Sequence, residues 1–330
     1  MNNHTQKDRL MNKAEALAAE ALKGDAAFDS EQWQRYIEQE IGFILPNVQR
    51  KWLANAVSQT ALSYGITLKQ LWEQLPLNQA LRQRLLDKVL IHESRFFRHL
   101  PSIAFITESA LQYQSQQLTR ASTQDITNRG NKIGTEAPFR IWSVGCASGQ
   151  ETWSLAMSLA AKQLTNYLIL GTDVSQQALK KARLGQYDQN QRTLIPKNCQ
   201  QFIQPLRPSR MVEELGFFSV LTNKALENTE ESRHTDWQVM PMLKPHVRFA
   251  LHNIIDKKPP TPHLQQVIVC QNMLLYFRKF DQRDILARLS EQCAVGGYIV
   301  LAPGEALFWR PSNMRRIAHP QINAWQKISA

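Results

Sequence analysis

From residue 139 the chain alternates between short apolar segments and amphipathic segments, and this order restricts the possible folds more than any other feature. Strands are predicted at FRIWSV (139–144), LILGT (168–172), VRFAL (247–251), QVIVC (266–270) and GYIVLA (297–302). Helices are predicted between them, at 152–164, 175–185 and 279–293. Strands that alternate with helices are typical of a mainly parallel sheet covered by helices on both faces. The sequence therefore predicts an α/β domain with a doubly wound sheet.

The segments before residue 138 indicate separate units. Residues 31–117 carry apolar side chains at helical spacing, as at Leu68 and Leu71, and predict an all-α N-terminal domain. Residues 118–137 are polar and rich in turn formers, which indicates a linker. Residues 1–30 indicate a flexible polar lead-in without an apolar signal core.

The α/β domain is expected to extend over 138–330, with one interruption. Residues 186–246 are too many for a plain connection between two elements. Within them GFFSVLT and WQVMPM have strand character, because β-branched and aromatic residues are enriched in strands. A small inserted β-subdomain is therefore predicted at 186–246.

Charge and cysteine content narrow the class of protein. The 39 Lys and Arg residues exceed the 28 Asp and Glu residues, which gives a formal net charge of +11 and a surface that attracts nucleic acid, anionic lipid or an acidic protein. The four cysteines are far apart in the sequence, so neither a disulfide framework nor a zinc site is expected. No apolar run reaches the roughly 20 residues of a membrane span. These features predict a cytoplasmic globular protein without membrane insertion.

The turn after the first predicted strand, GCASG at 145–149, is the first candidate binding element. Small residues let the backbone approach a ligand closely, and ligands of open α/β sheets bind beyond the carboxyl ends of the strands. Glu151 follows this turn, where it would repel a phosphate and favour a cofactor with positive charge, such as S-adenosylmethionine. A plain strand-to-helix turn with a surface glutamate fits the same residues.

Polar side chains follow the other predicted strands as well. Asp173 ends LILGTD and is expected to accept the ribose hydroxyls of a nucleoside cofactor, or else to cap the next helix. At the ends of the later strands, the amides expected to bracket adenine and the methionine moiety, or else to cap loops, are Asn253, Gln271 and Asn272. Tyr276 is expected to point its hydroxyl into the cleft, while the apolar residues beside it are ordinary packing. In the helical part, donors that could face the cleft are His92, Ser94 and Arg98, although a surface ion pair is an alternative for Arg98.

Taken in order, these motifs resemble the CheR family of chemoreceptor glutamate O-methyltransferases, which use S-adenosylmethionine. The resemblance covers about residues 31–308. Its motifs are S-x-F-F-R at 94–98, W-S-x-G-C-x-S-G-x-E at 142–151, T-D at 172–173, A-L-x-K-A-R at 178–183, V-R-F…N at 247–253, C-x-N-x-L-x-Y-F at 270–277 and G-G-Y at 296–298.

The resemblance implies a Rossmann-like methyltransferase domain with an inserted β-subdomain after a helical domain. It implies cofactor contacts from His92, Ser94, Arg98, Gly145, Glu151, Asp173, Asn253, Ile254, Gln271 and Asn272. It further implies that Arg98 and Tyr276 flank the reacting methyl group.

The chain departs from the family pattern at Gln150, Trp153 and Gln271, at His92, and at A-P-G-E (302–305). These departures indicate a divergent subgroup, and both flagellar chemotaxis and a pilus-type pathway fit it.

The function implied by this family is methyl transfer to glutamate carboxylates in the cytoplasmic helices of a methyl-accepting chemoreceptor, with S-adenosylhomocysteine as product. The basic residues expected to attract those acidic helices are Arg50, Lys51, Arg82 and Arg84. One alternative is a signalling or scaffold module that binds the cofactor and receptors without methylating them. A nucleic-acid methyltransferase is less favoured, because the segment QNMLLYF lacks the N-P-P-Y type of loop used on bases.

Overall fold

The computed structural model describes residues 29–46, 49–90, 93–125, 137–206 and 237–329. The N-terminal helices are α1 (Ser30–Ile41), α2 (Arg50–Tyr64), α3 (Leu68–Gln74) and α4 (Gln79–Val89). Their apolar faces form one buried cluster that includes Trp33, Leu71 and Leu85, which confirms the predicted helical unit. Side-chain caps begin three of these helices, at Asp29, Thr67 and Asn78.

A fifth helix, α5, extends over Leu100–Asp125. The linker predicted at 118–137 is therefore wrong for residues 118–125, which are helical. Residues 118–125 contain neither glycine nor proline, so nothing in this stretch ends the helix, and residues 126–136 lie outside the described part. The apolar side chains Ile103, Ile106 and Ala110 of α5 belong to the core of the α/β part, not to that of the N-terminal helices. We therefore place α5 with the α/β part, although the sequence assigned it to the helical domain.

The large sheet has seven strands in the described residues, in the order β6-β2-β1-β7-β8-β10-β9. Its strands are β1 (Phe139–Val144), β2 (Tyr167–Asp173), β6 (Val247–Leu251), β7 (Gln265–Cys270), β8 (Cys293–Leu301), β9 (Met314–Arg316) and β10 (Asn323–Lys327). The pairs from β6 to β8 are parallel, and β10 and β9 add an antiparallel edge. The predicted α/β fold with a doubly wound sheet is confirmed.

Both faces of the sheet are covered, as continuous apolar strands require. The helices are α6 (Gln150–Ala161), α7 (Gln176–Leu184), the one-turn α8 (Gln189–Arg192) and α9 (Lys279–Gln292). Along β1, Ile141 packs in the cluster that contains α5 and α6, whereas Trp142 packs in the cluster that contains α9. Successive side chains of one strand thus fill two different cores.

A second sheet lies in the predicted β-subdomain. It has the order β3-β5-β4, from β3 (Gln186–Tyr187), β4 (Ile203–Pro205) and β5 (Trp237–Val239). Of the two strand-like segments, WQVMPM forms β5 with its first three residues, while GFFSVLT lies outside the described residues. Trp237 packs with Tyr187 and with Phe96, which joins this small sheet to the segment before α5.

The N-terminal helices lie over the carboxyl ends of β2, β6 and β7 and are fixed there by polar contacts. On α4, Gln83 Nε2 donates to the Val174 carbonyl at 2.8 Å, just beyond β2. Beyond β6, Asn253 Nδ2 donates to the Glu40 carbonyl of α1 at 2.7 Å. This arrangement encloses the sheet end where ligands of such folds bind. No helix in the described part of the chain is long and apolar enough to cross a membrane.

Candidate active site

A cavity of about 280 Å³ lies between the N-terminal helices and the carboxyl ends of β1, β2, β6 and β7. Ten of the residues proposed from the sequence line it, namely Ser94, Arg98, Gly145, Glu151, Asp173, Asn253, Ile254, Gln271, Asn272 and Tyr276. They come from five separate segments of the chain, at 94–98, 145–151, 173, 253–254 and 271–276. His92 lies outside the described residues.

The turn after β1 has the geometry of a close approach. Gly145 has a φ of +65°, and a Cβ atom built there would lie 2.8 Å from Met273 Sδ, so a side chain at this position would displace the opposite wall. Gly149, with a φ of +89°, begins α6, and a Cβ atom on it would lie 2.8 Å from that of Ala182. The two glycines of the motif therefore allow close packing on both sides of the turn.

Asp173 at the end of β2 fixes two turns at once. Its Oδ2 accepts the Ala147 amide at 2.8 Å, and its Oδ1 accepts the Ser175 amide at 2.9 Å. The cap of α7 is Ser175, whose hydroxyl accepts the Ala178 amide at 3.0 Å. Asp173 thus holds the β1 turn against the β2 turn, and it also lines the cavity.

Glu151, in the first turn of α6, is a buried carboxyl group in the cavity wall. Burial raises its pKa to about 7, partly offset by the Ser143 hydroxyl, which donates to Oε1 at 2.7 Å, and by the positive charge of Arg98. The negative charge of Glu305 raises it further. A buried carboxyl group that is incompletely compensated by the protein favours a ligand with a positive charge beside it.

Arg98 and Tyr276 both line the cavity. One guanidinium nitrogen, Nη1 of Arg98, donates to the Glu93 carbonyl at 3.1 Å, and the remaining donors of this exposed side chain face solvent or a ligand. Burial raises the pKa of Tyr276, Glu93 raises it further, and Arg98 lowers it. The Tyr276 ring stacks on Phe43 with ring centroids 5.1 Å apart. The Tyr276 hydroxyl and the Arg98 guanidinium are therefore close enough to interact electrostatically.

The side-chain amides of Asn253 and Gln271, which were expected to bind the cofactor, donate hydrogen bonds to other parts of the protein. Asn253 uses its Nδ2 on the Glu40 carbonyl. Gln271, the residue where arginine is common in the family, donates from Nε2 to Ser102 Oγ at 3.0 Å and to the Leu301 carbonyl at 3.2 Å. Both hydrogens of Gln271 Nε2 are thus used within the protein, so a cofactor contact of this side chain would go through its oxygen atom. Asn253 Nδ2 uses one of its two hydrogens, and Asn253 Oδ1 accepts the Ile255 amide at 3.4 Å.

The structure also shows cavity residues that sequence reasoning missed. Those that line the cavity are Ile41, Phe43, Leu90, Arg95, His252 and Met273. Glu305 is not among the described residues that line the cavity, but its Oε2 accepts the amide of the lining residue Asn272 at 3.2 Å. Arg95, His252 and Glu305 each lie inside one of the sequence motifs given above, so the motifs place these residues near the cavity. Nothing in the sequence shows which side chains of a motif face the cavity.

The four basic residues proposed for docking do not behave alike. Arg50 and Lys51, at the start of α2, and Arg84, on α4, are exposed. Arg82 is partly buried, pairs with Glu40 at 3.7 Å and donates to the Pro76 carbonyl at 3.3 Å. Arg82 is therefore bound within the helical unit, and three exposed cations remain.

Comparison with known proteins gives a consistent result. The family model described as "CheR methyltransferase, SAM binding domain" matches residues 92–215 and 217–322. Chemotaxis protein methyltransferase 1 of Pseudomonas aeruginosa is 25% identical over 300 residues, which cover 88% of this chain and 94% of that protein. Chemotaxis protein methyltransferase Cher2 of Pseudomonas putida is 23% identical, with the same coverage of 88% and 94%.

Among solved structures, magnesium protoporphyrin IX methyltransferase from Synechocystis PCC 6803 with bound SAM aligns at 10% identity with a TM-score of 0.30. The alignment covers 82% of this chain and 97% of that chain. So low a TM-score adds no argument to the match of the family model.

Proposed function

Since the chain belongs to the CheR methyltransferase family, we propose that it transfers a methyl group from S-adenosylmethionine to glutamate side chains of a methyl-accepting chemoreceptor. The products would be the glutamate methyl ester and S-adenosylhomocysteine. The cofactor and the class of activity, methylation in chemotaxis, follow from the family. The acceptor and its place in the cytoplasmic helices of a receptor are our proposal.

One observation supports this function best: acidic groups for the cofactor and a guanidinium for an acceptor line the same cavity. The residues fit S-adenosylmethionine, because Glu151 is a buried carboxyl group suited to an ammonium and Asp173 is suited to ribose hydroxyls. When bound, this cofactor supplies a methyl group on a positively charged sulfur.

The acceptor requires alignment more than activation. A glutamate carboxylate with a pKa of about 4.3 is ionised near neutral pH, so no general base is needed. The site must hold its oxygen in line with the methyl group and exclude water. Arg98 would bind this carboxylate through the donors that Glu93 leaves unused, and Tyr276 would direct it by a hydrogen bond from its hydroxyl group.

A moderate Arg98 contact suits this role better than a buried one. The acceptor loses its negative charge as the ester forms, so a very tight guanidinium clamp would stabilise the ground state and slow the transfer. Arg98 is exposed, and its interaction with a carboxylate is therefore weakened by solvent.

The test is methyl transfer by purified protein from labelled cofactor to a receptor cytoplasmic fragment, with mass spectrometry of the modified glutamates. We expect Arg98→Ala to lower single-turnover transfer about 100-fold, the order that misplacement of a reacting group costs, with a smaller change in cofactor affinity. Arg316→Ala, an exposed arginine on β9, is the matched control. Undiminished transfer by Arg98→Ala would exclude its assigned role.

The alternative, a scaffold without activity, was motivated by departures from the family pattern. Trp153 is buried and donates from Nε1 to the Ala182 carbonyl at 3.0 Å, and Gln150 contacts Ser148 and Gln191. Neither Gln150 nor Trp153 is among the described residues that line the cavity. These two departures thus lie outside the cavity wall, whereas the departure at Gln271 lies in it. Arg98, Glu151 and Asp173 are retained in that wall, which favours the enzyme.

A further inference from the structure

We infer that Glu305 is a positioning residue, whose carboxylate holds the Asn272–Tyr276 segment in the shape that cofactor and acceptor require. The effect on cofactor binding requires only that the protein uses the cofactor of its family, S-adenosylmethionine. The effect on the acceptor, through Tyr276, rests on the proposed function.

The contacts place this carboxylate at the start of the loop that follows β7. Glu305 Oε2 accepts the amide of Asn272 at 3.2 Å and the amide of Ala302 at 3.0 Å. The amides of Leu274 and Leu275 also stabilise the charged carboxylate and lower its pKa, which burial raises. Oε1 is shielded from solvent and makes no hydrogen bond of standard geometry to a described residue.

These amides belong to a single turn of 3₁₀ helix, Leu274–Tyr276. Its N-cap residue, Met273, has an apolar side chain, so the first amides of the turn lack a local acceptor of the Ser, Asp or Asn type. Glu305 is 33 residues further along the chain and supplies a negative charge to the N-terminal end of this turn. It thus performs from a distance what a capping side chain does locally.

The segment needs such support because its backbone is unfavourable. Asn272 has a φ of +58°, in the left-handed region that costs energy for residues other than glycine. The next residue, Met273, packs against Gly145, where a Cβ atom would lie 2.8 Å from Met273 Sδ. Release of the Asn272 amide would let the segment relax, and Asn272, Met273 and Tyr276 would move together in the cavity wall.

Glu305 is itself held by a buried side chain from another strand. Asn323, at the start of β10 and only 3% exposed, donates from Nδ2 to the carbonyls of Ala302 at 3.0 Å and of Glu305 at 2.8 Å. These bonds fix the turn 302–305 that follows β8. The carboxylate is therefore presented by a rigid turn and not by a free loop.

Glu305 also contributes charge to the cavity, which gives its removal a second measurable effect. The groups that act on the Glu151 carboxyl are Ser143, Arg98 and Glu305, with the buried thiols of Cys146 and Cys270 close by. Because the charge of Glu305 raises the pKa of Glu151, loss of that charge should lower it. This shift reports the charge of Glu305, and the comparison of Glu305→Gln with Glu305→Asp separates that charge from the position of the carboxylate.

The experiment compares wild-type protein with Glu305→Gln, Glu305→Asp and the control Glu291→Gln, an exposed glutamate on α9. Calorimetry with S-adenosylmethionine from pH 5.5 to 8.5 gives affinity, and single-turnover transfer to the receptor fragment gives the reaction step. For Glu305→Gln we expect about tenfold weaker cofactor binding, as for loss of hydrogen bonds to a charged group. The low-pH decline of binding should shift to lower pH, and transfer should fall at saturating cofactor.

Glu305→Asp keeps the charge but shortens the reach, so it should bind more weakly while its low-pH decline stays at the wild-type position. Should Glu305→Gln fail to fold, this comparison of Glu305→Asp with wild type decides the matter. A lower melting temperature with unchanged affinity, transfer and pH profile would overturn the inference. Normal cofactor binding by wild type without any receptor methylation would instead contradict the proposed function, and the binding results on Glu305 would stand separately.

Discussion

Glu151 has to satisfy two opposing requirements at the residue scale. Its burial favours the neutral acid, whereas a positively charged ligand favours the carboxylate. With a pKa of about 7 in the folded protein and about 4.3 in an unfolded chain, the folded state binds the extra proton between these values. Glu151 therefore makes the free energy of unfolding fall as the pH rises through this window, which is the reverse of an ion-paired acid.

The same pKa predicts how cofactor binding depends on pH. Below pH 7 the Glu151 carboxyl must lose its proton before it pairs with the ammonium group, so affinity should fall by up to about tenfold per pH unit as the pH decreases. Glu151→Gln should bind more weakly at pH 8 and lose most of this dependence. Calorimetry at pH 6, 7 and 8 measures both, with Glu108→Gln, exposed on α5, as control. An unchanged pH profile in Glu151→Gln would assign the proton to another group.

At the scale of elements, the cofactor site depends on contacts between α4 and the turn after β2. Ser175 Oγ donates to Asp87 Oδ1 at 2.6 Å, and Gln83 Nε2 donates to the same atom at 3.2 Å and to the Val174 carbonyl. This turn contains Asp173, which we propose as the acceptor of the ribose hydroxyls. An N-terminal helix thus fixes the position of a residue in the methyltransferase part.

Removal of this acceptor tests the contact between α4 and the turn. Asp87→Ala leaves the Ser175 hydroxyl without its acceptor, and we expect about five- to tenfold weaker cofactor binding from the looser turn. Asp87→Asn keeps an oxygen acceptor in place and should stay close to wild type. Calorimetry with S-adenosylmethionine measures both variants, and equal losses in the two would mean that the charge of Asp87, and not the hydrogen bond, is what matters.

At the scale of the whole molecule, the exposed cations lie on the helical unit that covers the cavity. Arg50, Lys51 and Arg84 are exposed there, and the formal net charge of the chain is +11. Glutamate-rich receptor helices would be attracted to this unit over a range set by the Debye length, about 10 Å at 0.1 M salt and 3 Å at 1 M. Steering of this kind acts on the rate of encounter more than on the chemical step.

We therefore expect kcat/KM for receptor methylation to fall steeply between 0.05 and about 0.5 M salt, because salt screens exposed charges. The triple variant Arg50→Gln, Lys51→Gln, Arg84→Gln should lose several-fold in kcat/KM at low salt, with little loss at high salt and unchanged cofactor affinity. The control replaces Lys162, Lys181 and Arg316, exposed on the α/β part. Equal losses in both triple variants would indicate a general charge effect and no docking surface.

Local sequence patterns determined the order of elements and most of their limits. The predicted strand VRFAL coincides with β6, Val247–Leu251, and Ser175 caps α7 as expected. Apolar periodicity and helix caps depend on residues that are close together in the sequence, so these features can be predicted from the sequence alone. Ligands of open α/β sheets bind beyond the carboxyl ends of the strands, which predicts that Asp173 and Asn272 lie near each other. Both residues line the same cavity.

The tertiary structure decided what depends on partners far along the chain. The apolar side chains of α5 pack on the α/β core and not on the N-terminal helices, which places this helix with the α/β part. Arg82 is bound by Glu40, Asn253 donates to α1 across 213 residues, and Glu305 accepts from Asn272 across 33. Burial, ion pairing and long-range hydrogen bonds arise only when distant segments meet, so no local pattern shows them.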